Sequence, residues 1–104
     1  MLNQENLYKK YPLLFKQVNL PMSQSCMYFG IECPNTWYDI IENACERIQN
    51  ACDSLVGQIE FCQIKEKFGG LRMYYDFKYG PSELDDIIYE IIRSAETDVE
   101  LLNN

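Results

Sequence analysis

The spacing of apolar residues along this chain changes twice, and that change constrains its fold more than any other feature. From Trp37 the apolar positions run Trp37, Ile40, Ile41, Ala44, Cys45, Ile48, Cys52 and Leu55. A 3.6-residue stripe held for about five turns predicts an amphipathic helix. Asn35 or Thr36 is placed to cap it, Asp39 stands in its first turn, and Gly57 is placed to end it. From Gln58 to Tyr79 the period becomes two. Ile59 and Phe61 alternate with Glu60 and Cys62, and Leu71, Met73, Tyr75, Phe77 and Tyr79 alternate with Arg72, Tyr74, Asp76 and Lys78. This predicts a β-hairpin, turned at Glu66-Lys67-Phe68-Gly69-Gly70 by positive φ angles. After the Gly80-Pro81 turn and a Ser82 cap the helical period returns. Leu84, Ile87, Ile88, Ile91, Ile92, Ala95, Val99 and Leu102 mark the buried face of a second long helix.

The N-terminal third is less regular. Leu7, Tyr8, Tyr11, Leu14 and Phe15 predict a short helical piece over Asn6 to Phe15, broken or restarted at Pro12. Lys16 to Ser25 reads as a loop, and Cys26 to Ile31 as a short strand or buried loop. A hairpin is marginal alone, so it must pack on the helices. The expected fold is α+β: one domain over residues 1–104, two long amphipathic helices flanking a β-hairpin, and a short N-terminal helix. A chain of 104 residues supports one such core and not two ordinary domains.

Charge narrows the function. Nine Lys and Arg against sixteen Asp and Glu leave a net −7, which argues against nonspecific binding to nucleic acid or an anionic membrane. The excess is local. Residues 80–104 hold one base against seven acids, −6, whereas residues 57–79 hold four bases against three acids, +1. At 100° per residue Asp85, Asp86, Glu90, Glu96 and Glu100 fall opposite the isoleucine stripe. Such a row can imitate a phosphate backbone and fill a basic groove on a partner, or serve as a solvated face that keeps the chain soluble. Lys65, Lys67, Arg72 and Tyr74 form the opposite pole on the hairpin, suited to a compact anion such as a nucleotide. The plainer alternative there is local pairing with Glu66 and Glu60.

The chain has no His. That removes the commonest general base, the Ser-His and Cys-His nucleophile pairs and every mixed Cys/His zinc site, so no catalytic residue, metal or cofactor is assigned. The five cysteines, Cys26, Cys33, Cys45, Cys52 and Cys62, contain no C-x-x-C pair and read as reduced, buried small hydrophobes. Trp37, on the apolar side of its helix, reads as core. Met1 to Lys10 is polar without an apolar signal core, and no apolar run reaches the length of a membrane span, so a cytoplasmic location is expected.

Lys65-Glu66-Lys67-Phe68-Gly69-Gly70-Leu71-Arg72, taken with Tyr11-Pro12-Leu13-Leu14-Phe15, the Cys26–Glu32 stretch and Trp37, resembles a family of small phage and prophage proteins. The likeness runs from about Leu7 to Tyr75. Members commonly read "YPxLF", then "GIE…GW", then "KEKFGxLR", and many continue into a cysteine-containing tail. This chain has Thr36 where the family often has Gly, and the acidic helix in place of that tail. The resemblance implies a phage or mobile-element origin and carries over no catalytic residue. With the charge pattern it leads to two expectations. One is a non-enzymatic accessory protein that binds and inhibits a host protein with a basic surface, such as a nucleic-acid-binding defence enzyme, through the acidic helix. The other is a nucleotide sponge using the hairpin and Trp37, with a structural or replication module as a third possibility. A homodimer fits either, because exposed hairpin edges invite pairing.

Overall fold

In the computed structural model, which describes residues 3–103, the elements follow the two changes of period. The first stripe becomes α2 (Tyr38–Leu55), the alternating segment becomes β2 (Gln58–Lys67) and β3 (Gly70–Tyr79), and the second stripe becomes α3 (Ser82–Asn103). Ahead of them lie α1 (Gln4–Lys10) and a two-residue strand, β1 (Ile31–Glu32). The polar N-terminal stretch begins at Met1, outside the described residues. The sheet order is β1-β2-β3, with β1 parallel to β2 and β2 antiparallel to β3. The fold is α+β, as the periodicity predicts.

The core fills the space between the sheet and the two long helices. Ile41, Ala44, Cys45, Ile48 and Cys52 of α2 are buried, as are Leu84, Ile88, Ile91, Ile92, Ala95 and Val99 of α3 and Ile59, Phe61, Ile64, Leu71 and Met73 of the hairpin. Leu7, Leu14, Phe15, Met27, Ile31 and Trp37 close it from the N-terminal side. Trp37 is 3% exposed, which makes it core and removes it as a ligand-stacking surface.

Several local expectations are corrected. The first helix runs Gln4–Lys10 rather than from Asn6; the helical run breaks at Pro12 as expected, and the Leu14 and Phe15 amides donate to the Tyr11 carbonyl in a turn. Part of the expected Lys16–Ser25 loop is a 3-10 turn, Lys16–Asn19. Cys26–Ile31 divides at Gly30. Cys26–Phe29 is a 3-10 turn capped by Ser25, whose hydroxyl accepts from the Met27 amide at 3.1 Å, and β1 begins only after Gly30, at φ +73°. A Cβ at Gly30 would stand 2.5 Å from Gln4 Oε1, the same oxygen that accepts the Ile31 amide at 2.8 Å and so ties α1 to β1. Neither Asn35 nor Thr36 caps α2: a 3-10 turn over Asn35–Trp37, started after Pro34, runs straight into it. Gly57 does not take the left-handed conformation that ends α2. Val56 does, at φ 54°. Gly57 is needed for space, because a Cβ there would meet Leu84 and stand 2.8 Å from the Tyr79 carbonyl oxygen.

On α3, Ile87 and Leu102 are 40% and 52% exposed and lie outside the buried face expected to hold them. All five cysteines are free thiols, but only Cys45 and Cys52 are buried; Cys33 and Cys62 are half-buried and Cys26 is exposed. Burial raises the Cys33 thiol to about 12 and pushes Cys45, Cys52 and Cys62 up as well. No helix among the described residues is long and apolar enough to cross a membrane.

Candidate functional site: a cleft between β3 and α3

β3 is an outer strand of the sheet, and α3 packs beside it. Between them lies a cleft of about 680 Å³. Arg72, Met73, Tyr74 and Tyr75 line it from the strand, and Tyr89, Ile92, Arg93, Glu96 and Glu100 from the helix. The helical residues recur at three- or four-residue steps, so they form one flank of α3, next to its buried stripe.

Residues that the sequence assigned to opposite poles therefore meet. Arg72 and Tyr74 from the hairpin share the cleft with Glu96 and Glu100 from the acidic row. Its two arginines are already engaged. The Arg93 guanidinium lies 5.8 Å from the Tyr89 ring centroid and donates to the Tyr89 hydroxyl at 3.1 Å, and Arg72 donates to the Leu71 carbonyl at 2.9 Å. Tyr75 donates to Asp85 at 2.5 Å at the margin, and burial together with that carboxylate drives its phenol well above the ordinary tyrosine range.

Other assigned residues lie elsewhere. Lys65 and Lys67 are not in the cleft lining. Lys65 sits in the sheet between Glu32 of β1 and Arg72 of β3. Lys67 is exposed next to the turn, its ammonium 5.7 Å from the Phe68 ring centroid. Neither makes an ion pair among the described residues, nor does Arg72, so the local pairing with Glu66 and Glu60 is absent. Glu66 accepts the Gly69 amide at 2.7 Å, and Glu60 accepts from Gln17 at 3.3 Å. Asp86 and Glu90 are exposed and outside the cleft.

The Lys65–Arg72 segment thus has a structural use: Glu66 holds the turn, and Phe68 and Gly69 make it. The sequence missed Tyr89 and Arg93. Their i, i+4 spacing with each other, continued by Glu96 and Glu100, was the available signal. No group of three or more Cys, Asp and Glu among the described residues is arranged to hold a metal ion. Comparison with protein-family models, curated proteins and solved structures returns no match for this chain.

Proposed function

We propose that this chain is a phage-encoded, non-enzymatic accessory protein acting in the host cytoplasm, where it binds and inhibits a host protein through α3. The partner presents a basic surface, and a defence enzyme that handles nucleic acid is the class that fits. One observation carries this reading. α3 bears seven acids and one base, and among the described residues the only ion pair is Lys10–Glu42, which involves no residue of α3. Like charges four residues apart, Asp86–Glu90 and Glu96–Glu100, cost about 0.2–0.5 kcal/mol per pair. Of this row only Asp85 has a side-chain partner, the Tyr75 hydroxyl. A helix that leaves its other acids without a hydrogen bond or ion pair among the described residues is suited to an external partner, and long-range attraction would speed the encounter.

The test is capture of the partner from host lysate on the full-length protein, with mass spectrometry, beside the triple variant Asp86→Lys, Glu90→Lys, Glu100→Lys. The expected result is a partner retained at moderate salt by the parent and lost by the variant. Capture that ignores the reversal, or no partner surviving moderate salt, removes the reading. The nucleotide-sponge alternative draws support from Arg72, Arg93, Tyr74 and Tyr89 in one cleft. Glu96 and Glu100 in that cleft, Lys65 and Lys67 outside it and the burial of Trp37 weigh against it. A thermal shift with a cyclic or ADP-ribose-type nucleotide would restore it.

A further inference from the structure

β3 has a neighbour on one side only. Among the described residues no backbone hydrogen bond reaches it from outside its own hairpin. The unpaired side of a strand is a row of donors and acceptors that an extended chain can complete. Arg72, Met73, Tyr74 and Tyr75 all line the cleft, and consecutive strand residues point to opposite faces, so the cleft must wrap the free side of β3. From Tyr89 to Glu100 the helical wall runs about 17 Å, roughly the length of a five-residue strand.

We infer that the cleft receives an extended, basic segment of the partner, added to the sheet as a fourth strand beside β3. This rests on the proposed function and specifies how the partner is held. Alternate side chains of the added strand would face α3. They would meet the Met73 and Ile92 side chains in the cleft, and the carboxylates of Glu96 and Glu100. Neither carboxylate has a hydrogen-bond or ion-pair partner among the described residues, whereas Arg72 and Arg93 do. Charge thus selects apolar and Lys or Arg residues in alternation. A second copy of this chain fits worse, because pairing β3 with β3 would bring two α3 helices, each −6 over residues 80–104, to one side of a shared sheet.

The probe is an acetylated, amidated octapeptide of alternating Lys and Val, titrated into the full-length protein and followed by amide NMR and hydrogen exchange. The control carries the same charge with two central Val replaced by Pro, which cannot complete a ladder. Saturable shifts and slowed exchange along β3 are expected, with the proline peptide at least about tenfold weaker. The double variant Glu96→Gln, Glu100→Gln should bind the parent peptide about fivefold more weakly at low salt. Equal binding of the two peptides, with shifts confined to α3, would overturn strand addition and leave the acidic surface standing. No saturable shift on β3 at millimolar peptide would overturn it as well. So would a dimer in sedimentation whose β3 amides are already protected, which would give the edge to a second copy. Insensitivity of partner capture to charge reversal is the separate result that would remove the function itself.

Discussion

Phe68 occupies one of the least favourable positions in the chain. Lys67 pairs with Gly70, so the hairpin loop is two residues, Phe68 and Gly69, with φ of 54° and 81°. A two-residue turn that follows the twist of its strands needs positive φ at both positions, which is why Asn-Gly is favoured there. A left-handed phenylalanine costs about 1–2 kcal/mol, and this ring is also 94% exposed. Phe68→Asn should therefore stabilise the fold by about 1 kcal/mol, raising Tm by about 4–8 °C in a thermal scan. An unchanged or lower Tm would show that the Lys67–Phe68 contact outweighs the strain. The sequence placed the turn and its positive angles within Glu66–Gly70 but did not say which residues take them. Gly70 does not take one and Phe68 does, because the strand pairing, not the residue type, selects which positions must bend. Val56 is the same case at the end of α2: the backbone turns one residue before the glycine, and Gly57 is used for its lack of a side chain.

At the scale of elements, the existence and type of α2, the hairpin and α3 were legible because each is long and strongly periodic. The edges of their faces were not. An apolar arc on a helix wheel is ambiguous at its margins until the neighbour is known, and Ile87 and Leu102 fall at those margins. Ile88→Ala should cost about 2–5 kcal/mol and Ile87→Ala less than about 1 kcal/mol, read as midpoint changes in urea unfolding. Similar losses at both sites would mean that α3 is rotated relative to this description. The hairpin also departs from strict alternation. Phe61 pairs with Tyr75 and Gln63 with Tyr74, so Cys62 is an extra residue in β2; Gln58 pairs with Tyr79 and Ile59 with Phe77, so Lys78 is an extra residue in β3. The Cys62 bulge lets Phe61 and Ile64, three residues apart, both face the core. The cleft was hidden for a related reason: Arg72 and Glu96 are far apart in sequence, and only the packing of α3 beside β3 joins them.

Across the whole molecule, burial acts in one direction on the groups that titrate at high pH. Tyr8 is raised to about 12 chiefly by burial, and Tyr11, Tyr75, Cys33, Cys45, Cys52 and Cys62 are all raised with burial as the first cause. Their protonated forms are favoured in the folded chain. Their contribution to stability is complete below about pH 8, where unfolded thiols begin to ionise, and is lost as pH rises from there toward the folded values. The urea midpoint, with reductant present, should fall between pH 8 and pH 10.5, and less steeply in Tyr75→Phe. A flat profile would show that these groups are not held from water. Another whole-molecule feature was beyond the reach of sequence. Gln17, buried, donates to Asp76 at 2.7 Å and accepts from Ser25 at 2.7 Å. Asp76 is fifty-nine residues away, and no local pattern announces such a partner.

The last turn of α3 returns to the hairpin tip, where Asn103 donates to the Gly69 carbonyl at 2.7 Å. At the other end Leu84 sits against Gly57 and Gly80, where the hairpin begins and ends. Helix and hairpin are thus fastened at both ends, and their lengths must agree. Twenty-two helical residues span about 33 Å, and the ten residues of β3 span about the same. Two more residues in each strand would carry the tip about 7 Å past Asn103, and α3 would need roughly four or five more residues to follow. The helix is a ruler for the hairpin, and neither can change length alone.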